Sequence, residues 1–253
     1  MSKRPISEVQ TSTTGSAPLL DLGAIESGYG QIKVLHGIDL KIYAGEVMAL
    51  VGVNGAGKTT LLRTISGVTP LTRGRITFDG EDISGWQPEA VCRLGISHCP
   101  EGRRVFRTLS VEENIVAALL PRSLGRRAVL ERSYALFPIL GQKRRDAANT
   151  LSGGQQQMLA IARSLAASPR LLMVDELSLG LAPLATRGIA ETLLQLTGDG
   201  LTILLVEQNV ELALDLSEYA VVIEGGRCVV EGPSEALQAE PHLRELYMGH
   251  VGV

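Results

Sequence analysis

The run Gly52-Val53-Asn54-Gly55-Ala56-Gly57-Lys58-Thr59 constrains this chain most, because it satisfies G-x-x-x-x-G-K-[ST] at every fixed position. Five apolar residues, Val47 to Val51, precede it and have the length of a buried strand. Thr60, Leu61, Leu62 and Ile65 follow as the start of a helix. Strand, glycine loop and helix are the setting the motif needs. Glycines let the backbone wrap closely, so that several N–H groups converge on a polyphosphate. The helix start adds its partial positive charge. Lys58 is placed to reach the outer phosphates, and the Thr59 hydroxyl to face Mg2+. Gly52 through Thr60 are therefore the candidate phosphate-binding residues, and the chain is expected to bind a nucleoside triphosphate. No N-K-x-D sequence occurs, which disfavours a guanine-reading site.

A chain of 253 residues suits one large α/β domain with room for a subdomain. Aromatic residues make up only 4%, so the core is expected to be aliphatic. The net charge of -3 argues against a nucleic-acid partner, which favours basic surfaces. No apolar run approaches the ~20 residues that span a bilayer, and the polar N-terminal stretch is not expected to be a signal peptide. Cys92, Cys99 and Cys228 have no metal-site spacing. These features together predict a cytoplasmic, reduced protein.

Residues 1–18 are rich in Ser and Thr and read as a disordered tail. Short strands are expected over 19–25 and 34–43, in a β region that also holds Ser27-Gly28-Tyr29-Gly30. An aromatic flanked by glycines can stack on an adenine face or be an ordinary turn tyrosine, and position alone does not separate the two. Residues 75–78 read as a strand, 88–94 as a short helix and 96–99 as a strand ending at Pro100-Glu101. Ser110 with Glu113 reads as a capping box for a helix to Leu119. Residues 126–136 and 144–150 are also expected to be helical, which makes roughly 102–157 a helical insertion in an α/β core. Met158, Leu159, Ile161, Ala162 and Leu165 repeat at a helical period. Buried strands are expected over 171–174 and 201–206, and a hairpin over 219–231 around Gly225-Gly226. Residues 234–253 read as short closing helices, with 249–253 as a C-terminal tail.

Four apolar strands, each followed by a polar or glycine-rich turn, suggest a parallel sheet with ligands at its carboxyl edge. Gly52–Thr59, Glu101, Asp175-Glu176 and Gln208 all fall at such strand ends. Asp175 suits Mg2+ beside the Thr59 hydroxyl. Glu176 points differently from its neighbour and can polarise a water against the γ-phosphate. Leu151-Ser152-Gly153-Gly154-Gln155 joins a capping serine to exposed backbone N–H groups at a helix start.

With the phosphate loop and the acidic pair, this pentapeptide resembles the ATP-binding cassette ATPases over about residues 19–248. The resemblance implies a phosphate-loop α/β core with an antiparallel β subdomain and an inserted helical one. It implies that Leu151–Gln155 closes over ATP held by a second cassette in a head-to-tail dimer, that Tyr29 stacks on adenine, and that Leu179-Gly-Leu-Ala182 passes between the two sites. Thr59, Glu101 and Asp175 would hold Mg2+, and Glu176 with Gln208 would serve hydrolysis. Pro100–Phe106, Val111-Glu-Glu-Asn114, Ser178–Pro183 and Val206-Glu-Gln-Asn209 look like the second ATPase subunit of branched-chain amino acid importers. The ATPase of a urea or short-chain amide importer is the near relative. That branch implies two membrane permease subunits, an indirect solute-binding partner, and a place on the inner face of the cell membrane.

Most cassettes carry Gln at position 101 and His at position 208, so Glu101 adds a charge and Gln208 can donate but never be charged. These departures leave open a subunit that binds ATP and hydrolyses it weakly. Leu177 replaces the usual proline after the acidic pair. His98 and Cys99 are expected to be satisfied core residues. Arg103, Arg104 and Phe106 lie where the family docks a membrane subunit's helix, and a solvated basic loop is the alternative.

Overall fold

The computed structural model describes residues 17–121 and 124–240. The expected tails, apart from residues 17 and 18, lie outside these residues, as does all of the closing region after Glu240. Two sheets organise the chain. The first is antiparallel, in the order β2 (Ile32–Ile42), β1 (Leu20–Tyr29), β4 (Leu71–Phe78), β5 (Glu81–Asp82). The second runs β10 (Arg227–Pro233), β9 (Tyr219–Glu224), β3 (Val47–Val51), β8 (Thr202–Glu207), β7 (Leu171–Asp175), β6 (Ile96–Cys99). It is parallel from β9 to β6, and only β10 pairs antiparallel, closing the expected hairpin.

β3, β7 and β8 are buried at every position, as strands covered on both faces must be. Alternation along β3 divides the core. Met48 and Leu50 face the antiparallel sheet and α1 (Lys58–Ile65), where they meet Leu61, Leu62 and Phe78. Val47 packs on the other side with Leu172, Val174, Ile203 and Leu205 against α6 (Gly153–Ala166) and α7 (Pro183–Gly198). Ala49 and Val51 meet α8 (Val210–Asp215) and Leu237 of α9 (Ser234–Gln238). The remaining helices are α2 (Pro88–Leu94), α3 (Val111–Val116), α4 (Arg126–Leu136) and α5 (Pro138–Gln142).

The expected capping box is present: Ser110 and Glu113 satisfy each other's backbone N–H groups, though α3 stops at Val116 rather than Leu119. Residues 144–150 are not one helix, and only Ala148–Thr150 form a single 3-10 turn. Asp146 and Arg144 carbonyls accept from Val111 and Glu112 N–H instead, so the backbone groups a helix would need are already used. The expected limit of the insertion at 157 falls inside α6.

Candidate nucleotide site

The strand order sets the site. β8 lies between β3 and β7, and β6 lies beyond β7. Their carboxyl ends therefore bring the phosphate loop, Gln208, Asp175-Glu176 and Glu101 to one edge. The loop leaves β3 at Gly52 and enters α1 at Lys58. Gly57 turns it with φ 109°, a conformation that costs a side-chain-bearing residue. No side chain caps α1 and no acid stands in its first turn, so the N–H groups at that helix start have no side-chain partner there.

Lys58 is buried, and its Nζ donates to the carbonyls of Gly52 at 2.8 Å and Val53 at 3.2 Å. The lysine thus ties the phosphate loop across its own mouth. Burial pulls its pKa below the ordinary lysine value, and Glu176, Asp175, Glu207 and Glu101 oppose that fall. One ammonium faces four carboxylates.

Asp175 ends β7 and is 1% exposed, yet neither carboxylate oxygen has a hydrogen-bond partner among the described residues. Burial pushes its pKa up to about 6. The Thr59 hydroxyl, which faces it without ordinary hydrogen-bond geometry, favours the charged form, Glu176 and Glu101 oppose it, and Lys58 favours it. A buried carboxylate with open oxygens is costly unless a cation or donor meets it. With the Thr59 hydroxyl and Glu101 nearby, it makes a hard-oxygen donor set that fits Mg2+. No group of three or more His, Cys, Asp or Glu side chains that could hold a metal exists among the described residues. Mg2+ is commonly held by one or two carboxylates together with substrate phosphates and water.

Glu176 has φ 53° and donates its N–H to the Val206 carbonyl at 2.9 Å. That left-handed conformation ends the extended run of β7 just after Asp175. Gln208 Nε2 donates to Glu176 Oε1, so the amide orients the carboxylate it was expected to assist. Two further links involve residues to which the motifs assign no role. Buried Glu207 accepts from Ser178 N–H at 2.8 Å and from Ser178 Oγ at 2.9 Å, and burial raises its pKa. Asn114, fully buried, brackets Phe106 by accepting from its N–H at 2.8 Å and donating to its carbonyl at 3.0 Å. Both residues lie in the Val206–Asn209 and Val111–Asn114 stretches that carry the branch resemblance, which gives no role to either side chain.

Tyr29 ends β1 rather than sitting in a turn. Its hydroxyl lies 3.4 Å from Thr60 Oγ1 while 46% of the residue stays exposed. Among the described residues, no side-chain hydrogen bond joins Leu151–Gln155 to the phosphate loop. Ser152 Oγ accepts from Gln155 N–H and Gln155 Oε1 accepts from Ser152 N–H, completing a capping box on α6. Its tight neighbours are Arg103, against Gly153, and Ala185 of α7, against Gly154. Arg103 turns toward its own chain and donates to the Gly180 carbonyl at 3.2 Å. Phe106 is half exposed beneath the Arg163 guanidinium, 5.1 Å from the ring centre. Cys99 is a buried core residue as expected. His98 is not satisfied: among the described residues its buried Nε2 has no partner, and Nδ1 reaches only Ser66 Oγ at 3.4 Å. Burial, with Arg63 nearby, holds its pKa down at about 4.

A parallel sheet whose carboxyl edge carries a phosphate loop, an orphaned aspartate and an oriented glutamate defines a nucleoside-triphosphate-hydrolysing protein of the phosphate-loop class. The family follows from the sequence match: residues 35–178 match the ABC transporter family, ABC_tran, and the chain belongs to it. It is an ATPase of that family. The chain is 40% identical over 232 residues to the high-affinity branched-chain amino acid transport ATP-binding protein BraG of Pseudomonas aeruginosa, covering 91% of this chain and all of that protein. It is 33% identical over 229 residues to the lipopolysaccharide export system ATP-binding protein LptB of Escherichia coli K12, covering 89% of this chain and 95% of that protein. Among solved structures, the ADP conformation of an ATP-binding cassette of an ABC transporter superposes with a TM-score of 0.80 at 24% identity, over 93% of this chain and all of that one. That likeness supports the fold. No helix among the described residues is long and apolar enough to cross a membrane; ATPase subunits of this family work with permease subunits that are.

Proposed function

We propose that this chain is the ATP-hydrolysing subunit of an importer of branched-chain amino acids, bound to permeases at the inner face of the cell membrane and served by an external solute-binding protein. The observation that carries the hydrolytic part is the pair at the sheet edge: orphaned Asp175 beside Glu176, whose carboxylate the Gln208 amide holds. Gly52 to Thr60 bind the phosphates and Tyr29 the adenine. Thr59, Asp175 and Glu101 would hold Mg2+, which would supply positive charge against the phosphate oxygens. Glu176 takes the proton of the attacking water, and Gln208 keeps the Glu176 carboxylate aimed. Lys58 exchanges its carbonyl partners for phosphate oxygens. Leu151–Gln155 covers the nucleotide of a second cassette, and opening follows hydrolysis.

The importer assignment draws on the full-length likeness to BraG and on the Pro100–Phe106 and Val206–Asn209 stretches, which look like those of that importer branch. The likeness to LptB favours, as a second reading, service to an exporter. The test is reconstitution with the permeases encoded beside this chain. ATP-driven uptake of leucine, abolished by Glu176→Gln, supports the proposal. Uptake of urea or short amides, or movement of a lipid in the opposite direction, overturns the solute assignment and leaves the ATPase standing.

A further inference from the structure

The turn after β6 has an unusual backbone. Gly102, Arg103 and Arg104 are consecutively left-handed, at φ 76°, 66° and 44°. Two non-glycine residues there cost on the order of 1 kcal/mol each, and such strain persists only where the surroundings impose it. The surroundings are on hand. Arg104 N–H donates to the Gly102 carbonyl at 2.7 Å, and Arg163 Nη1 donates to the Arg104 carbonyl at 2.7 Å. Asn114 clamps Phe106 from the other side.

What the turn does is aim Arg103. Its Nη2 donates to the Gly180 carbonyl. Its guanidinium also lies against Gly153, where an added Cβ would sit 3.0 Å from Nη2 and 3.2 Å from both Cζ and Nη1. A Cβ at this position would be in tight contact with the guanidinium, which would have to give by a few tenths of an ångström. No carboxylate pairs with Arg103 among the ion pairs of the described residues, and a helix start repels a cation. The contact therefore gains little from charge and much from shape. It spans the start of α6 and the Gly180 turn, the two segments that face a second cassette in the reading above. The other end of that turn is tied through Ser178 to Glu207, beside the chain's own Glu176.

We infer that Arg103 is a positioning residue for the nucleotide site across the dimer, a planar strut that holds the Gly180 turn and the Ser152–Gln155 lid at one spacing so that they reach the opposite triphosphate as a unit. This rests on the two-cassette reading. Arg103 acts on pairing, and the chain's own affinity for ATP does not depend on it.

The experiment uses the full chain with Glu176→Gln, so that bound ATP persists, mixed with its partner cassette and Mg·ATP. ATP-driven pairing is followed by sedimentation, and nucleotide affinity of the unpaired chain by a fluorescent ATP analogue. Arg103→Ala is expected to raise the concentration for half-pairing about tenfold or more, with affinity of the unpaired chain changed less than about twofold. Arg103→Lys does not restore pairing, because an ammonium cannot lie flat on Gly153. Gly153→Ala, which shifts the guanidinium by a few tenths of an ångström, is expected to weaken pairing to a smaller degree, and the double variant falls short of the product of the two single effects. Unchanged pairing in Arg103→Ala, equal loss of the chain's own affinity, or fully multiplicative effects overturn the inference. If the chain with Arg103 intact binds ATP and never pairs, the two-cassette reading fails and takes the inference with it.

Discussion

Asp175→Asn isolates the cost of keeping a metal corner open. The carboxylate is buried with both oxygens unpartnered, and its pKa rises from 3.8 to about 6. At ~1.4 kcal/mol per pH unit, that rise corresponds to about 3 kcal/mol of stability given up by the charged form. A raised carboxylate subtracts its full penalty above the folded pKa and none below the unfolded one, so the whole cost is present at pH 7.5 and disappears toward pH 3. Asparagine keeps the shape and removes the charge, but its amide also lacks partners, which returns about 1–2 kcal/mol. The net expectation in EDTA at pH 7.5 is a gain of about 1–2 kcal/mol, or ~2–8 °C in Tm for a domain of this size. The same variant should lose the stabilisation that Mg·ATP gives the wild type, about 2.7 kcal/mol at a ligand concentration a hundredfold above Kd. Thermal melts with EDTA alone and with Mg·ATP read both effects. A variant that is destabilised by 1 kcal/mol or more in EDTA would refute the reasoning, because it would mean the carboxylate is satisfied by the protein rather than held for a cation.

Lys58→Ala should lower ATP affinity at least tenfold, read by titration with a fluorescent analogue, and also loosen the phosphate loop, since Nζ bridges the Gly52 and Val53 carbonyls. Gln208→Ala should cut kcat of the assembled complex about tenfold or more with little change in KM, because it frees Glu176 without touching the phosphate loop; an equal effect on KM would argue against the orienting role. His98 is held at about 4 against an ordinary 6.5. A depressed histidine contributes full stability above pH 6.5 and loses it as pH falls toward 4, so about 2 kcal/mol should disappear between pH 7 and pH 5. Urea melts of His98→Gln should show a correspondingly flatter acid limb.

Burial on both faces made β3, β7 and β8 legible as apolar runs, and the acids at their ends were legible as chemistry because a parallel sheet presents its carboxyl edge. The capped starts of α3 and α6 were legible because Ser110–Glu113 and Ser152–Gln155 close within four residues. β1 was read short. Gly28-Tyr29 looks like a turn locally, but pairing of Gly28 with Lys33 extends the strand to Tyr29. The helix expected over 144–150 gave way to contacts with the start of α3 that no local period reports. The ties from Glu207 to Ser178 and from Arg103 to Gly180 bridge 29 and 77 residues. Such long-range pairings leave no spacing in the sequence.

The rate at which ATP leaves the Glu176→Gln chain, alone and with its partner cassette, tests most directly whether the phosphate loop and the Ser152–Gln155 lid belong to different halves of one site. Release should slow at least tenfold once the second cassette is added, and substitutions in the lid of either cassette should speed it again at the opposite nucleotide. A release rate indifferent to the second cassette, with ATP bound tightly throughout, would contradict a shared site.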